Sequence, residues 1–183
     1  MGEADQYAAI DAAGIPSLRI LKYPSPALRE TGRPVDPADE SLGALVEKMF
    51  ELMFSASGVG LSATQVGVSA CMFVCSPSCQ ADDRLVCLNP EIVSVAGSQT
   101  EEEGCLSLPG ITCNIKRAET VVLAAVDMAG QRFEITGQGL TARLFQHELD
   151  HLNGKLLVDR MGSVAKLANR RALQDLEHQF ADG

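Results

Sequence analysis

Gln146-His147-Glu148-Leu149-Asp150-His151-Leu152-Asn153-Gly154 carries two histidines four residues apart, with a glutamate beside the first. Four residues turn a helix by about 400°, so His147 and His151 stand one turn apart on the same face. Two imidazoles so placed can grip one divalent metal, and Glu148 can reach a water on it. These two account for all but one of the chain's three histidines. If the pair merely capped a core, Glu148 would sit on a core-facing edge without a task or a partner. Leu140 and Leu144 share the same side. A helix from about Gly139 to Asn153 is therefore expected, stopped by Gly154.

Outward from this helix the signals change. Upstream lie short runs rich in Val, Ile, Thr and Phe, at 71–75, 85–88, 91–96, 113–116, 120–127 and 132–136. Met128-Ala129-Gly130-Gln131 reads as a hairpin turn. Before them, Asp36 and Pro37 mark a helix start, and Leu42, Leu45, Val46, Met49, Leu52 and Met53 recur at helical spacing up to Gly58. After the metal helix, a C-terminal helix over 163–180 presents Val164, Leu167, Ala168, Ala172, Leu176 and Phe180 on one face. Helix, block of strands, then helices is the order of an α+β fold. The expected architecture is short antiparallel strands packed around a central metal-binding helix, with an N-terminal and a C-terminal helix.

The 183 residues favour a single domain, with residues 1–14 as a flexible tail. A composition of 46% hydrophobic and 21% charged residues excludes global disorder. No apolar run approaches the length of a membrane span. The net charge of −9 argues against a nucleic-acid protein held by bulk charge, and the absence of Trp removes stacking platforms. The N-terminal stretch has neither a basic nor an apolar segment of a secretory signal, so the chain is read as cytoplasmic. The six cysteines form no CxxC pair. Cys71, Cys75, Cys87 and Cys113 read as small buried hydrophobes, and Cys79 as a surface thiol. Cys105 stands apart.

Most H-E-x-x-H proteins are peptidases with a third ligand downstream. Here the place for a third histidine is Leu157, and about twenty residues on stand Arg170 and Arg171. A further ligand must come from upstream. There lie Glu103-Gly104-Cys105-Leu106-Ser107 and, directly after the first helix, Gly58-Val59-Gly60-Leu61-Ser62-Ala63-Thr64-Gln65. The latter lacks the Lys-Ser/Thr of a phosphate loop. The segments GVGLSATQ, EGCLS and QHELDH, in this order and at these separations, closely resemble peptide deformylase. That family carries GxGLAAxQ, EGCLS and QHExDH. The resemblance runs from about Leu18 to Arg160 and begins with Ile20-Leu21-Lys22-Tyr23-Pro24-Ser25-Pro26-Ala27-Leu28-Arg29. Ser62 departs from the usual Ala, and crowding or a local hydrogen bond is expected there rather than lost activity.

The resemblance implies that Cys105, His147 and His151 hold the metal, with water as the fourth ligand. It implies Fe²⁺ as the native ion, with Zn²⁺, Ni²⁺ or Co²⁺ as substitutes. It implies hydrolysis of the N-formyl group of formyl-methionyl peptides, with release of formate. Glu148 would move the proton, and the Gln65 amide and the Leu106 N–H would stabilise the developing oxyanion. Val59, Gly60, Leu140 and Leu144 would form the pocket for the methionine side chain. Residues 101–103 read as a solvated charge run, with Glu103 orienting a loop. Two rivals remain: a peptidase cutting internal bonds, and a metal-stapled module touching ribosomal RNA through Lys166, Arg170 and Arg171. A transient ribosome contact through the C-terminal helix is expected beside the enzymatic reading. No specific nucleic acid and no membrane partner are expected.

Overall fold

In the computed structural model, residues 7–78 and 80–181 are described. Cys79 and residues 1–6 of the expected tail lie outside them. The strand β2 (Met72–Cys75) shows how the core is laid out. Its side chains alternate between faces, and all four are fully buried, so both faces of its sheet are covered. Met72 and Val74 meet the helix α1 (Leu42–Ser55) through Leu45, Val46, Met49 and Met53. Phe73 and Cys75 meet the helix α2 (Leu140–Leu152) through Ala142, Leu144 and Phe145. The rings of Phe73 and Phe145 lie 6.2 Å apart. Burying one such side chain contributes about 1.5–3 kcal/mol.

The sheet has five strands. With β1 (Gly60–Ser62), β3 (Leu85–Ala96), β6 (Thr120–Val126) and β7 (Arg132–Gln138), the order is β1-β2-β3-β6-β7, antiparallel throughout. A separate hairpin joins β4 (Gln99–Cys105) to β5 (Leu108–Arg117). Its inner side, with Leu108, Ile111, Cys113 and Ile115, packs on α3 (Leu157–Arg160) and on Leu176 of α5 (Arg170–Ala181). The mixture of helices and antiparallel strands is the α+β arrangement read from the sequence. Among the described residues, no helix is long and apolar enough to cross a membrane.

Several boundaries differ from the sequence reading. The first helix starts at Leu42, not at Asp36. Asp36 and Asp39 instead accept the N–H groups of Ala38 and Ser41, and these local turns compete with the helix. The runs at 85–88 and 91–96 form one strand, irregular where they join. Residues 101–103, outside the runs read as strands, belong to β4, where Glu101 and Glu102 are exposed and Glu103 is buried. The C-terminal helix is broken: α4 (Ser163–Ala168) and α5 are separated at Asn169, whose side chain donates to the Thr112 carbonyl of β5 at 3.2 Å. The break shifts the helical phase. Ala165, Ala172, Leu173 and Leu176 turn inward, while Val164, Leu167 and Phe180 of the expected face stay exposed. Within 1–14, Ala8 donates its N–H to Pro34 O at 2.7 Å, and Ala8 and Ile10 rest against the α1 core. Cys75, Cys87 and Cys113 are buried, and Cys71 is half-buried.

Candidate active site

Helix α2 follows Gly139, and the chain turns away after Asn153 at Gly154, which adopts φ +66°, a conformation that costs glycine little. A side chain there would also run into the Arg29 carbonyl. Between these limits the helix places His147 and His151 one turn apart. The two Nε2 atoms lie 3.3 Å from each other, and Cys105 Sγ lies 3.2 Å from that of His151. The three donor atoms all fall within 4.8 Å of one another. Cys105 ends β4 just before the turn into β5, which brings it to α2 across 46 residues. Two imidazoles and a thiolate suit a borderline transition metal, and three protein ligands leave a position open. The donor set therefore fits a single divalent cation.

Around this cluster the second-row partners are specific. His147 Nδ1 lies 3.2 Å from Glu103 Oε2, which turns Nε2 toward the metal position. Glu103 is nearly inaccessible and receives Arg117 Nε at 2.9 Å, Arg117 Nη2 at 3.0 Å and Arg143 Nη1 at 2.6 Å. Burial works against its charge. Hydrogen bonds from His147 and Arg117, with the Arg117 charge, nevertheless hold its carboxyl down at about 2. Arg117 continues to Asp150 at 2.6 Å, and Asp150 also pairs with Arg160. A chain of charges, buried as far as Asp150 and exposed at Arg160, thus runs behind the metal helix.

Glu148 points the other way, toward Gly60. A side chain at Gly60 would place its Cβ 2.5 Å from Glu148 Oε1, so the glycine makes room for the carboxylate. Glu148 Oε2 is buried with no hydrogen-bond partner among the described residues. Burial pushes the Glu148 carboxyl up to about 7, against the pull of the His147 charge. Gln65 sits on the short turn Ala63–Val66 after β1. Its Oε1 accepts the Ser62 N–H at 3.0 Å and the Ser62 hydroxyl at 2.9 Å. This leaves Gln65 Nε2 aimed at Ser107 Oγ, 3.1 Å, and Cys105 Sγ, 3.6 Å. Ser62 thus makes the local hydrogen bond expected of it.

A cavity of about 380 Å³ opens in front of the cluster. Of the residues singled out in the sequence, Val59, Gly60, Gln65, Leu106, Leu140 and Leu144 line it, together with Cys105, His147 and Glu148. His151 stays behind them, 1% exposed. Leu106 closes one side against Gly58, where a Cβ would come within 2.6 Å of Leu106 Cδ1. The structure brings every one of these residues to one place. The sequence reading missed Arg143, Arg117 and Asp150 as partners of the site. It also gave Glu103 a smaller part than the hub it occupies. For Arg143 a signal existed: it stands four residues before His147, on the same helix face.

A family model described as polypeptide deformylase matches residues 17–167. The chain belongs to the polypeptide deformylase family. The peptide deformylase of Acidobacterium capsulatum is 44% identical over 149 residues, covering 80% of this chain and 88% of that protein. The chloroplastic peptide deformylase 1B of Oryza sativa subsp. japonica is 37% identical, covering 98% and 68%. Among solved structures, a peptide deformylase from Legionella pneumophila superposes with a TM-score of 0.83 at 44% identity, covering 91% and 99% of the two chains. A plant peptide deformylase gives 0.86 at 39%, covering 90% and 91%. Deformylases are metal-dependent hydrolases of protein biosynthesis. This deformylase removes the N-formyl group from newly made polypeptides.

Proposed function

We propose that Cys105, His147 and His151 hold the catalytic cation, Fe²⁺ natively, with Zn²⁺, Ni²⁺ or Co²⁺ able to replace it. The observation that carries the ligand set is the convergence of one thiol and two Nε2 atoms within 4.8 Å. When bound, the cation supplies Lewis acidity that activates water and polarises the formyl carbonyl. The chain's own residues do the rest. Glu148 takes the proton of the attacking water at its unpartnered Oε2 and returns it to the leaving amine nitrogen. Gln65 Nε2, with its amide oriented by Ser62, and the Leu106 N–H donate to the oxygen that becomes negative. Each such donor is worth about 3 kcal/mol to the barrier. Val59, Leu140 and Leu144 receive the methionine side chain, and Gly60 offers its backbone to the peptide. A cytoplasmic site of action belongs to the same proposal. So does transient ribosome contact through α4 and α5, where Lys166, Arg170 and Arg171 are exposed.

The decisive experiment separates ligand from proton carrier. His147→Ala, His151→Ala and Cys105→Ala should each lose the metal, because a three-ligand site has no spare donor. Glu148→Ala should keep near-stoichiometric metal while formate release falls about 10²–10⁴-fold. Metal loss in Glu148→Ala would recast it as a ligand or support, and near-normal activity would remove it from the mechanism. A formyl group carries hydrogen where acetyl carries methyl, and Gly60 and Leu106 crowd that point. Acetyl-Met peptides should therefore be poor substrates, and a comparable kcat/KM for the two would contradict the pocket.

A further inference from the structure

The segment Leu21–Tyr23 crosses both loops that carry the proposed oxyanion donors. Leu21 donates its N–H to Gln65 O at 2.8 Å, and Tyr23 donates its N–H to Ser107 O at 2.9 Å. Between them, Lys22 reaches over the chain and donates its ammonium to Leu106 O at 2.6 Å, across 84 residues of sequence. The first two bonds use main-chain groups that almost any residue would provide. The third depends on the Lys22 side chain.

Its position in the turn gives that bond a use. Cys105 pairs with Leu108, so Leu106 and Ser107 are the two central residues of the turn between β4 and β5. The peptide joining the central residues of such a turn is the one whose rotation interconverts turn types. Its oxygen is Leu106 O, the atom that Lys22 holds. Ser107, on the other side of that peptide, is itself the acceptor of Gln65 Nε2. The Leu106 N–H belongs to the preceding peptide, so rotation acts on it only through the shape of the turn, while it acts on the Gln65 amide through the Ser107 residue that receives it. The rest of the turn is fixed by β-ladder bonds and by the Leu106 side chain against Gly58.

We propose that Lys22 is a positioning residue for deformylation: its ammonium holds the Leu106 carbonyl, so that the turn keeps the shape in which Leu106 presents its N–H and Ser107 receives the Gln65 amide. This rests on the reading of those two groups as oxyanion donors. Lys22 touches neither substrate nor cation in this role. An orientation bond of this kind acts on the transition state, so its loss lowers kcat and leaves KM nearly unchanged.

The test uses the metal-loaded enzyme with Lys22→Met and Lys22→Arg. Four quantities are measured for each: kcat and KM on formyl-Met-Ala-Ser, metal content, melting temperature, and amide hydrogen exchange at Leu106 and Ser107. Lys22→Met should show faster exchange at the turn and a kcat lower by about 3- to 10-fold, the worth of one net hydrogen bond. Metal content, melting temperature and KM should stay near the parent values. Lys22→Arg, which keeps a charged donor, should restore most of kcat. Unchanged exchange in Lys22→Met would overturn the proposal, and so would unchanged kcat with the turn loosened. A kcat loss that merely follows metal loss or a lower melting temperature would also overturn it. Gln65→Leu separates this from the underlying reading. If Gln65→Leu is crippled and Lys22→Met is not, only the Lys22 role fails. If Gln65→Leu keeps its rate with full metal, the donor reading itself fails.

Discussion

Helix α2 and the pair α4–α5 both show an apolar stripe in the sequence, yet they end in opposite states. Helix α2 buries eight of its thirteen residues, including Arg143, Glu148, Asp150 and His151. The pair α4–α5 leaves Val164 81%, Leu167 71% and Phe180 49% exposed. Periodicity shows that a helix has two faces, and burial is then decided by what stands opposite each face. Helix α2 meets Phe73, Val121 and Leu123 with its apolar side, and Glu103 and Arg117 with its charged side. The pair α4–α5 meets the hairpin and α3 through Ala165, Ala172, Leu173 and Leu176, and Glu177 accepts the Tyr23 hydroxyl at 2.9 Å. With Glu148 as the exception, whose Oε2 has no partner among the described residues, charge on α2 is buried where it has partners, and apolar surface on α4–α5 is left out where it has none.

Removing a partner from the charged side of α2 should have the largest effect. Glu103→Gln leaves Arg117 and Arg143 buried against a neutral amide and loosens the hold on His147. Breaking a buried ion pair in this way costs about 3–5 kcal/mol of stability, and losing a partner of a metal-ligating histidine weakens metal binding about 10–100-fold. Urea unfolding of the metal-free protein and a metal competition titration measure the two effects separately. If both stayed at parent values, the buried charges would be ornament and the contrast with α4–α5 would collapse.

The apolar side is next. Phe145→Ala removes a fully buried ring from the contact with Phe73 and should cost about 3–5 kcal/mol. The measurement belongs on metal-free protein, because a bound cation would stabilise the folded state by mass action and hide part of the loss. A loss under about 1 kcal/mol would mean that the site collapses easily around the gap, which a close-packed core does not do.

The metal helix was legible because its four-residue ligand spacing nearly matches the helical period of 3.6 residues. One glance at His147 and His151 fixes both the element and the chemistry. The strand β4 was hidden for the opposite reason. Glu101, Glu102 and Glu103 are identical, so no alternation marks which of them turns inward, and only pairing with β5 makes Glu103 the buried one. The strand β1 has three residues, too few for any period to register. The break at Asn169 depends on the Thr112 carbonyl, 57 residues away, and the placement of Ala8 depends on Pro34. Such choices are made by tertiary contacts, which a local pattern does not contain. Gln65 and Cys105 became readable only together with the metal helix, through the resemblance of three motifs in order.

The smallest effect is expected from the exposed side of α4–α5, and it is the sharpest check on the comparison. Leu167→Ser and Phe180→Ser alter side chains that the folded chain leaves largely in water, so little burial is lost. Surface substitutions of this kind change stability by about 0.5 kcal/mol or less. Serine lowers helix propensity relative to leucine by a few tenths of a kcal/mol, which sets the direction of any residual change. Leu176→Ser, on the same helix but turned inward against the hairpin, should cost several times more, because a polar group would replace a buried one. Chemical unfolding of the three variants side by side tests the phase shift at Asn169 directly. If Leu167→Ser or Phe180→Ser destabilised the protein as much as Leu176→Ser, the stripe read from the sequence would be a buried face after all. The helix would then run unbroken through Asn169, with its apolar side covered in solution.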